Sequence, residues 1–267
     1  MFKRDHHNKI HKVLTLLNAD LLLEAGCYFG GGTAIVLSLD EYRESVDIDF
    51  LCSSKEGYKK LRNIVTQNSL NQLLMGPVEY QREPMTDRNA IRAILRVDGK
   101  PIKIEFVREA RIEIVGAMNE ALGVPVLSKT DMFAEKLLAN ADRGLDKYVK
   151  SRDIIDIAMM VDAWGDIPYE AIIKTEEAYG TQVTKALATS IDLISNESYF
   201  RECIAVAKMD REHLVKIPNI LYKQLDILMN QPSQNAKKAL AKIKDFAAAK
   251  LGDKEQSSDS ESDTMSP

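Results

Sequence analysis

A chain of 267 residues with 45% hydrophobic and 28% charged residues has enough material for a sizeable core, in one large domain or two ordinary ones. No apolar run approaches the length of a membrane span, and the start, Met1 to His7, lacks the apolar core of a secretion signal, so a cytoplasmic location is expected. The net charge of −4 does not mark a nucleic-acid binder, although a local basic strip can act inside an acidic protein.

Residues 5–24 carry Ile10, Val13, Leu14, Leu17, Leu21 and Leu22 at helical spacing, which predicts one amphipathic helix. His6, His7 and His11 fall on or near its first turns and read as an exposed helix start, with a metal cluster as the alternative. Cys27, Cys52 and Cys203 are odd in number and widely spaced, so neither a disulfide framework nor a zinc site is indicated.

The stretch Phe29-Gly30-Gly31-Gly32-Thr33-Ala34 is the first that suggests chemistry. Successive glycines leave backbone N–H groups bare and able to close around phosphate oxygens; the plain alternative is an ordinary loop. A short helix separates it from Val46-Asp47-Ile48-Asp49-Phe50, whose alternation predicts a half-buried strand. On a strand Asp47 and Asp49 point to one face while Val46, Ile48 and Phe50 point to the other. Either that face is merely solvated, or two hard carboxylates near a phosphate cradle form a Mg²⁺–nucleotide site. The joint occurrence favours the second reading, and with it phosphoryl or nucleotidyl transfer.

A further helix has Tyr58, Leu61, Ile64 and Val65 as its inner stripe. Residues 91–107 predict a β-hairpin turning at Asp98-Gly99. In its second strand Ile104-Glu105-Phe106 repeats the apolar–acid–apolar bracket, so Glu105 is either another carboxylate of the site or a solvent-facing glutamate. From Leu127 on, the pattern is helical, with Ser128 as N-cap of a helix to about Asp142, stopped at Arg143-Gly144. Lys129, Lys136, Arg143 and Lys150 recur every seven residues, so Lys129 and Lys136 share a face. They could hold a triphosphate, or pair on the surface with Asp131, Glu135 and Asp142. Ser151 is the candidate cap of the next helix, where Arg152, Asp153 and Asp156 lie on one side and could form an ion-pair network. Four or five more helices run to about Lys250, and the Ser/Asp/Glu-rich tail, Leu251 to Pro267, reads as disordered.

Three blocks carry a family resemblance: Gly31-Gly32-Thr33-Ala34 with Tyr42 through Phe50, Lys129 through Ala139, and Arg143 through Ile157. In this order, over about residues 25–160, they resemble the AbiEii/AbiGii toxin family of nucleotidyltransferases, within the polymerase-β-like superfamily. The resemblance implies an α+β fold: an N-terminal polymerase-β-like nucleotidyltransferase domain (mixed sheet with flanking helices), then a C-terminal helical bundle. The expected boundaries are 1–127, 128–250 and, for the acidic tail, 251–267.

It also implies Mg²⁺-dependent transfer of a nucleoside monophosphate from an NTP to an acceptor hydroxyl. Asp47 and Asp49 would hold the metal, with Glu105 completing a second metal site or taking the proton. Gly31, Gly32 and Thr33 would bind the phosphates, with Lys129, Lys136 and Arg143 as the cations. Lys136 is preferred to Lys129 as the functional lysine, and Asp153 to Asp156 as the acid of the following helix. A tRNA 3′ end is the first-ranked acceptor and a protein hydroxyl the second, within a toxin–antitoxin or phage-defence system with a possible cognate antitoxin. The rival readings are an antibiotic-type small-molecule nucleotidyltransferase and a non-catalytic nucleotide-binding module.

Overall fold

The computed structural model describes residues 1–230. The expected helix as far as Lys250 and the acidic tail 251–267 therefore lie outside the described residues. Residues 1–225 form one compact unit. A second unit starts at Asp226, and of it residues 226–230 are described; there Asn230 N–H donates to Asp226 O.

A mixed seven-stranded sheet organises the first unit. Its strands are β1 (Cys27–Gly30), β2 (Ile48–Cys52), β3 (Glu79–Thr86), β4 (Ala90–Val97), β5 (Lys100–Arg108), β6 (Gly116–Asn119) and β7 (Val124–Leu127), in the order β3-β4-β5-β2-β1-β7-β6. β2 runs antiparallel to β1 and parallel to β5, which places the acidic strand at the centre of the sheet. Register then sorts the residues by face. Phe29, Phe50 and Phe106 form one row across three strands, fully buried, with ring centroids 5.5 and 5.2 Å apart. The adjacent row, Gly30, Asp49, Glu105 and Arg92, points to the opposite face.

The helices are α1 (Asp5–Leu14), α2 (Ala19–Glu24), α3 (Gly31–Ser38), α4 (Lys55–Asn68), α5 (Lys129–Arg143), α6 (Arg152–Trp164), α7 (Tyr169–Tyr179), α8 (Gln182–Ile194), α9 (Glu197–Val206) and α10 (His213–Met229). α4 buries Tyr58, Leu61 and Val65. α5 starts where Ser128 Oγ accepts from Asp131 N–H, and it packs against α6, α7 and α8.

Three sequence expectations are corrected. Residues 5–24 form two helices: Asn18 N–H bonds Leu73 O, Leu17 bridges to Leu74, and the Asn18 side chain caps α2. Tertiary pairing therefore breaks a stretch whose apolar positions continue at helical spacing. β3 was not expected, because it is a largely exposed edge strand containing Pro84, with little apolar alternation. Ser151 precedes α6 in a left-handed conformation and makes no side-chain cap; its Oγ pairs with Tyr199 Oη at 3.0 Å.

Candidate active site

The row of Asp49 and Glu105 opens onto a cleft of about 260 Å³, walled by Gly31, Gly32 and Ile35 of α3 and by Leu51 and Val107 of the sheet. α5 closes it with Met132, Glu135, Lys136, Ala139 and Arg143, positions that share one helical face. β1 ends at Gly30 and α3 starts at Gly31, so the N–H groups of the helix start meet the carboxylate row. Glycine is needed there for space as well as for bare amides. Gly31 has φ +67°, and a Cβ on it would stand 2.7 Å from Asp49 Oδ2. A Cβ on Gly32 would collide with Arg43 Nη2.

Asp47 lies just ahead of β2 and Asp49 lies within it, two residues apart on one face. Burial, then the charges of Asp47 and Glu105, push the Asp49 carboxyl up to about 6. Negative charge is thus under-compensated at this point, which is the environment a hard divalent cation relieves. Asp47 and Asp49 fit such an ion as oxygen donors. Glu105 is engaged elsewhere: Arg92 Nε reaches its Oε1 at 2.9 Å and Lys103 Nζ binds its Oε2. Among the described residues no three His, Cys, Asp or Glu side chains gather into a metal-holding group. Two aspartates suit Mg²⁺, which commonly takes one or two carboxylates with the rest from substrate phosphates and water.

Beneath α3 lies a buried ionic network. Lys136 Nζ binds Asp153 Oδ1 at 2.9 Å and Asp156 Oδ2 at 2.7 Å. Arg143 grips Asp153 through Nε and Nη2, at 2.7 and 3.0 Å. Arg43, from the loop before β2, grips Asp156 likewise at 2.7 and 2.8 Å, and Tyr42 Oη donates to Asp156 Oδ1 at 2.5 Å. Three cations face two carboxylates, leaving a net positive charge at the wall of the cleft. Burial opposes ionisation of Asp153, but Lys136 and Arg143 outweigh it and hold the carboxyl well below the usual range. Burial likewise opposes the charge on Lys136, and Asp156 and Asp153 reverse that, raising its pKa.

The predicted site residues are thus divided among three places. Asp49, Glu105, Gly31, Gly32, Lys136 and Arg143 line one cleft, with Asp47 beside Asp49 and with Asp153 bound to both cations. The Thr33 side chain is buried: its hydroxyl donates to Asp47 O and pairs with Ser45 Oγ at 2.8 Å, so it fixes the strand start carrying Asp47. Lys129 lies apart, its Nζ 5.2 Å from the Trp164 ring centroid at a different cavity with Ser38 and Met118. The seven-residue spacing does not bring it to Lys136, because two turns separate them by about 10 Å along the axis and place Lys129 at the start of α5, beside Trp164. Arg152 is exposed and bonds Val149 O, outside the network of Asp153 and Asp156.

Sequence reasoning missed several participants. Arg43 and Tyr42 are two of them, and a cation four residues before Asp47 is their only signal in the sequence. Lys103 and Arg92 share the strand face of Glu105 and follow from the hairpin register. The histidines are corrected too. His7 is fully buried: it accepts from Ser45 N–H at 3.2 Å through Nε2, so Nδ1–H donates to Glu41 Oε1 at 2.7 Å. His6 Nε2–H donates to Val46 O at 3.1 Å. Both therefore brace the loop that delivers Asp47, rather than forming an exposed helix start.

A family model described as "Nucleotidyl transferase AbiEii toxin, Type IV TA system" matches residues 15–258. No curated protein matches the chain in sequence. Among solved structures it is similar to a candidate nucleotidyltransferase of H. pylori, at 16% identity and a TM-score of 0.51, over 85% of this chain and 97% of that one. It is also similar to MenT4, a nucleotidyltransferase toxin of Mycobacterium tuberculosis H37Rv, at 17% identity and a TM-score of 0.32, over 83% of this chain and 95% of that one. The H. pylori likeness concerns the fold alone. Among the described residues no helix is long and apolar enough to cross a membrane. With the family match running through the glycine start of α3, the carboxylate row and the α5–α6 network, the chain belongs to the AbiEii nucleotidyltransferase toxin family and is a nucleotidyltransferase.

Proposed function

We propose that this nucleotidyltransferase toxin moves a nucleoside monophosphate from an NTP to the 3′-terminal hydroxyl of a tRNA, with Mg²⁺ held by Asp47 and Asp49. One observation carries the reading: the raised carboxyl of Asp49 stands against the glycine start of a helix, in a cleft whose far wall is cationic. When bound, Mg²⁺ neutralises phosphate charge and orients the α-phosphorus for in-line attack.

The chain's own groups supply the remainder. N–H groups of Gly31 and Gly32 bind phosphate oxygens, favoured by the positive end of α3. Arg143 is half-exposed at the cleft and contacts the departing pyrophosphate. Lys136 is buried between Asp153 and Asp156, so it acts through the local field and by keeping Arg143 in register. Glu105 stays paired with Arg92 and Lys103 in register opposite Asp49, and the proton of the attacking hydroxyl passes to water. The bond between the acceptor oxygen and the α-phosphorus forms as the bond to the β-phosphate bridging oxygen breaks. Most of the rate comes from positioning and charge placement.

The acceptor rests on the family resemblance, as does a cognate antitoxin. Incubating the purified protein with each labelled NTP, Mg²⁺ and total tRNA tests the reading. Label should enter RNA, and chelation or Asp47→Ala or Asp49→Ala should abolish it. Label entering only protein would replace the acceptor, and undiminished labelling in both variants would remove the aspartates from the reaction.

A further inference from the structure

A second concavity, of about 460 Å³, lies on the other side of the sheet from the cleft and is lined by Lys55, Tyr58, Lys59, Arg62, Arg88 and Arg108. We propose that this groove binds the phosphate backbone of the RNA whose end enters the cleft.

Five of its six lining residues are cationic, in a protein of net charge −4. Among the described residues none of the five forms an ion pair, whereas most cations around the cleft are paired. Of the acids nearby, Asp87 is already committed, its carboxylate binding Arg92 and the N–H groups of Asn89 and Ala90, while Glu56, Glu109, Glu113 and Glu177 line the adjoining cavity that Lys55 and Arg108 also border. Arg108 Nε is buried without a hydrogen-bond partner. Unpaired, partly desolvated guanidinium groups are suited to bidentate phosphate contacts.

The spacing fits a strand of nucleic acid. Lys55, Lys59 and Arg62 stand at i, i+4 and i+7 of α4, a stripe about 10 Å long. A duplex strand carries a phosphate about every 3.4 Å of axis, so three charges meet three phosphates over that length. Tyr58 is buried behind the stripe, its Oη bonded to Asp87 O at 3.0 Å, and fixes α4 to the β3–β4 turn that presents Arg88. Arg108 lies three residues beyond Glu105 on β5, so the groove begins about 10 Å from the carboxylate row, within reach of one polynucleotide.

Register explains why the two features are separate. Glu105 and Val107 face the cleft, while Phe106 and Arg108 face α4. A continuous RNA would pass round the end of β5, its terminus at Asp49 and its backbone along α4. An acidic protein could answer the same charges, but α4's regular spacing favours the evenly charged polymer.

This inference rests on the RNA acceptor of the proposed function, and the test separates the two. Binding of 5′-labelled deacylated tRNA to the full chain is followed by fluorescence anisotropy across a salt series. Lys59→Ala/Arg62→Ala/Arg88→Ala should weaken binding by about tenfold or more and lower the salt slope by about 2–3, leaving Mg²⁺–NTP binding unchanged. Asp49→Ala should keep full tRNA affinity while losing transfer. A milder Lys59→Gln variant should lower the slope by about 1, which guards against a folding defect in the triple variant. Wild-type affinity and slope in the triple variant would overturn the proposal. So would displacement of tRNA by polyglutamate at lower charge concentration than by unlabelled RNA. Absence of transfer to RNA by the wild-type protein, with groove binding intact, would instead count against the cleft reading alone.

Discussion

Arg43 and Asp156 stand 113 residues apart in the chain and meet through two hydrogen bonds of 2.7 and 2.8 Å, with both side chains buried. The pair ties the loop leading into β2 to helix α6, and Gly32 packs directly over it. Replacing Arg43 by Met leaves Asp156 with Lys136 and Tyr42 only, and should cost about 3–5 kcal/mol. Arg43→Met/Asp156→Leu should recover much of that loss, because no unpaired charge remains buried. Urea unfolding of the two singles and the double measures the coupling; strict additivity would show that the two groups do not support one another.

The glycines give a graded prediction. Gly32→Ala drives a Cβ into a guanidinium that its ion pair holds in place, so stability should fall by about 2 kcal/mol or more. Gly31→Ala adds the cost of a positive φ, about 1 kcal/mol, and displaces the Asp49 carboxylate. Gly31→Ala should therefore damage NTP binding more than stability, and Gly32→Ala the reverse. Paired denaturation and nucleotide-binding measurements decide it.

Lys136→Met leaves Arg43 and Arg143 facing Asp156 and Asp153, one cation for each carboxylate, so the protein should still fold. Transfer should drop by about tenfold or more as the positive field at the cleft wall is lost. Lys129→Met should leave transfer unchanged and cost about 0.5–1 kcal/mol from its contact with Trp164. Equal losses of transfer in both variants would contradict the separation of the two lysines.

Asp49 gives opposite signs for stability and activity. Its folded pKa, about 6, exceeds the unfolded value near 3.9, so its contribution favours the fold below pH 4 and is lost as pH rises through 6. Without metal, Asp49→Asn should stabilise the protein at pH 8 by at most about 2–3 kcal/mol and by almost nothing at pH 4. Transfer by the wild type should rise with pH through about 6, and saturating Mg²⁺ should move that midpoint downward. Thermal melts and rates from pH 4 to 9 report both.

His7 has the reverse dependence. Burial depresses its pKa, more than Glu41 raises it, and Nε2 must stay unprotonated to accept from Ser45 N–H. Its contribution is present above the unfolded value near 6.5 and lost as pH falls from there to the depressed folded pKa. Wild-type stability should thus decline below pH 6.5, and His7→Gln should flatten that decline while lowering stability at pH 8. Urea midpoints at pH 5, 6, 7 and 8 test this apart from Glu41, whose carboxyl titrates lower still.

Local pattern determined much of the site. The alternation around Asp47 and Asp49, the Asp98-Gly99 hairpin and the Ser128 cap each concern neighbours in the chain, where period and capping chemistry act directly. Only the tertiary structure decided which charges are matched. Glu105 is held by Arg92 and Lys103, Thr33 by Ser45 and Asp47, Asp156 by Arg43, and Lys129 leans on Trp164. A charge is committed or free according to what lies within a few ångströms, and for a pair joined across 113 residues that is fixed by packing alone. The same reason singles out Lys55, Lys59 and Arg62 of α4: in the chain they resemble any solvated helix face, and only in three dimensions do they lack ion-pair partners among the described residues, while Lys60 beside them pairs with Glu24.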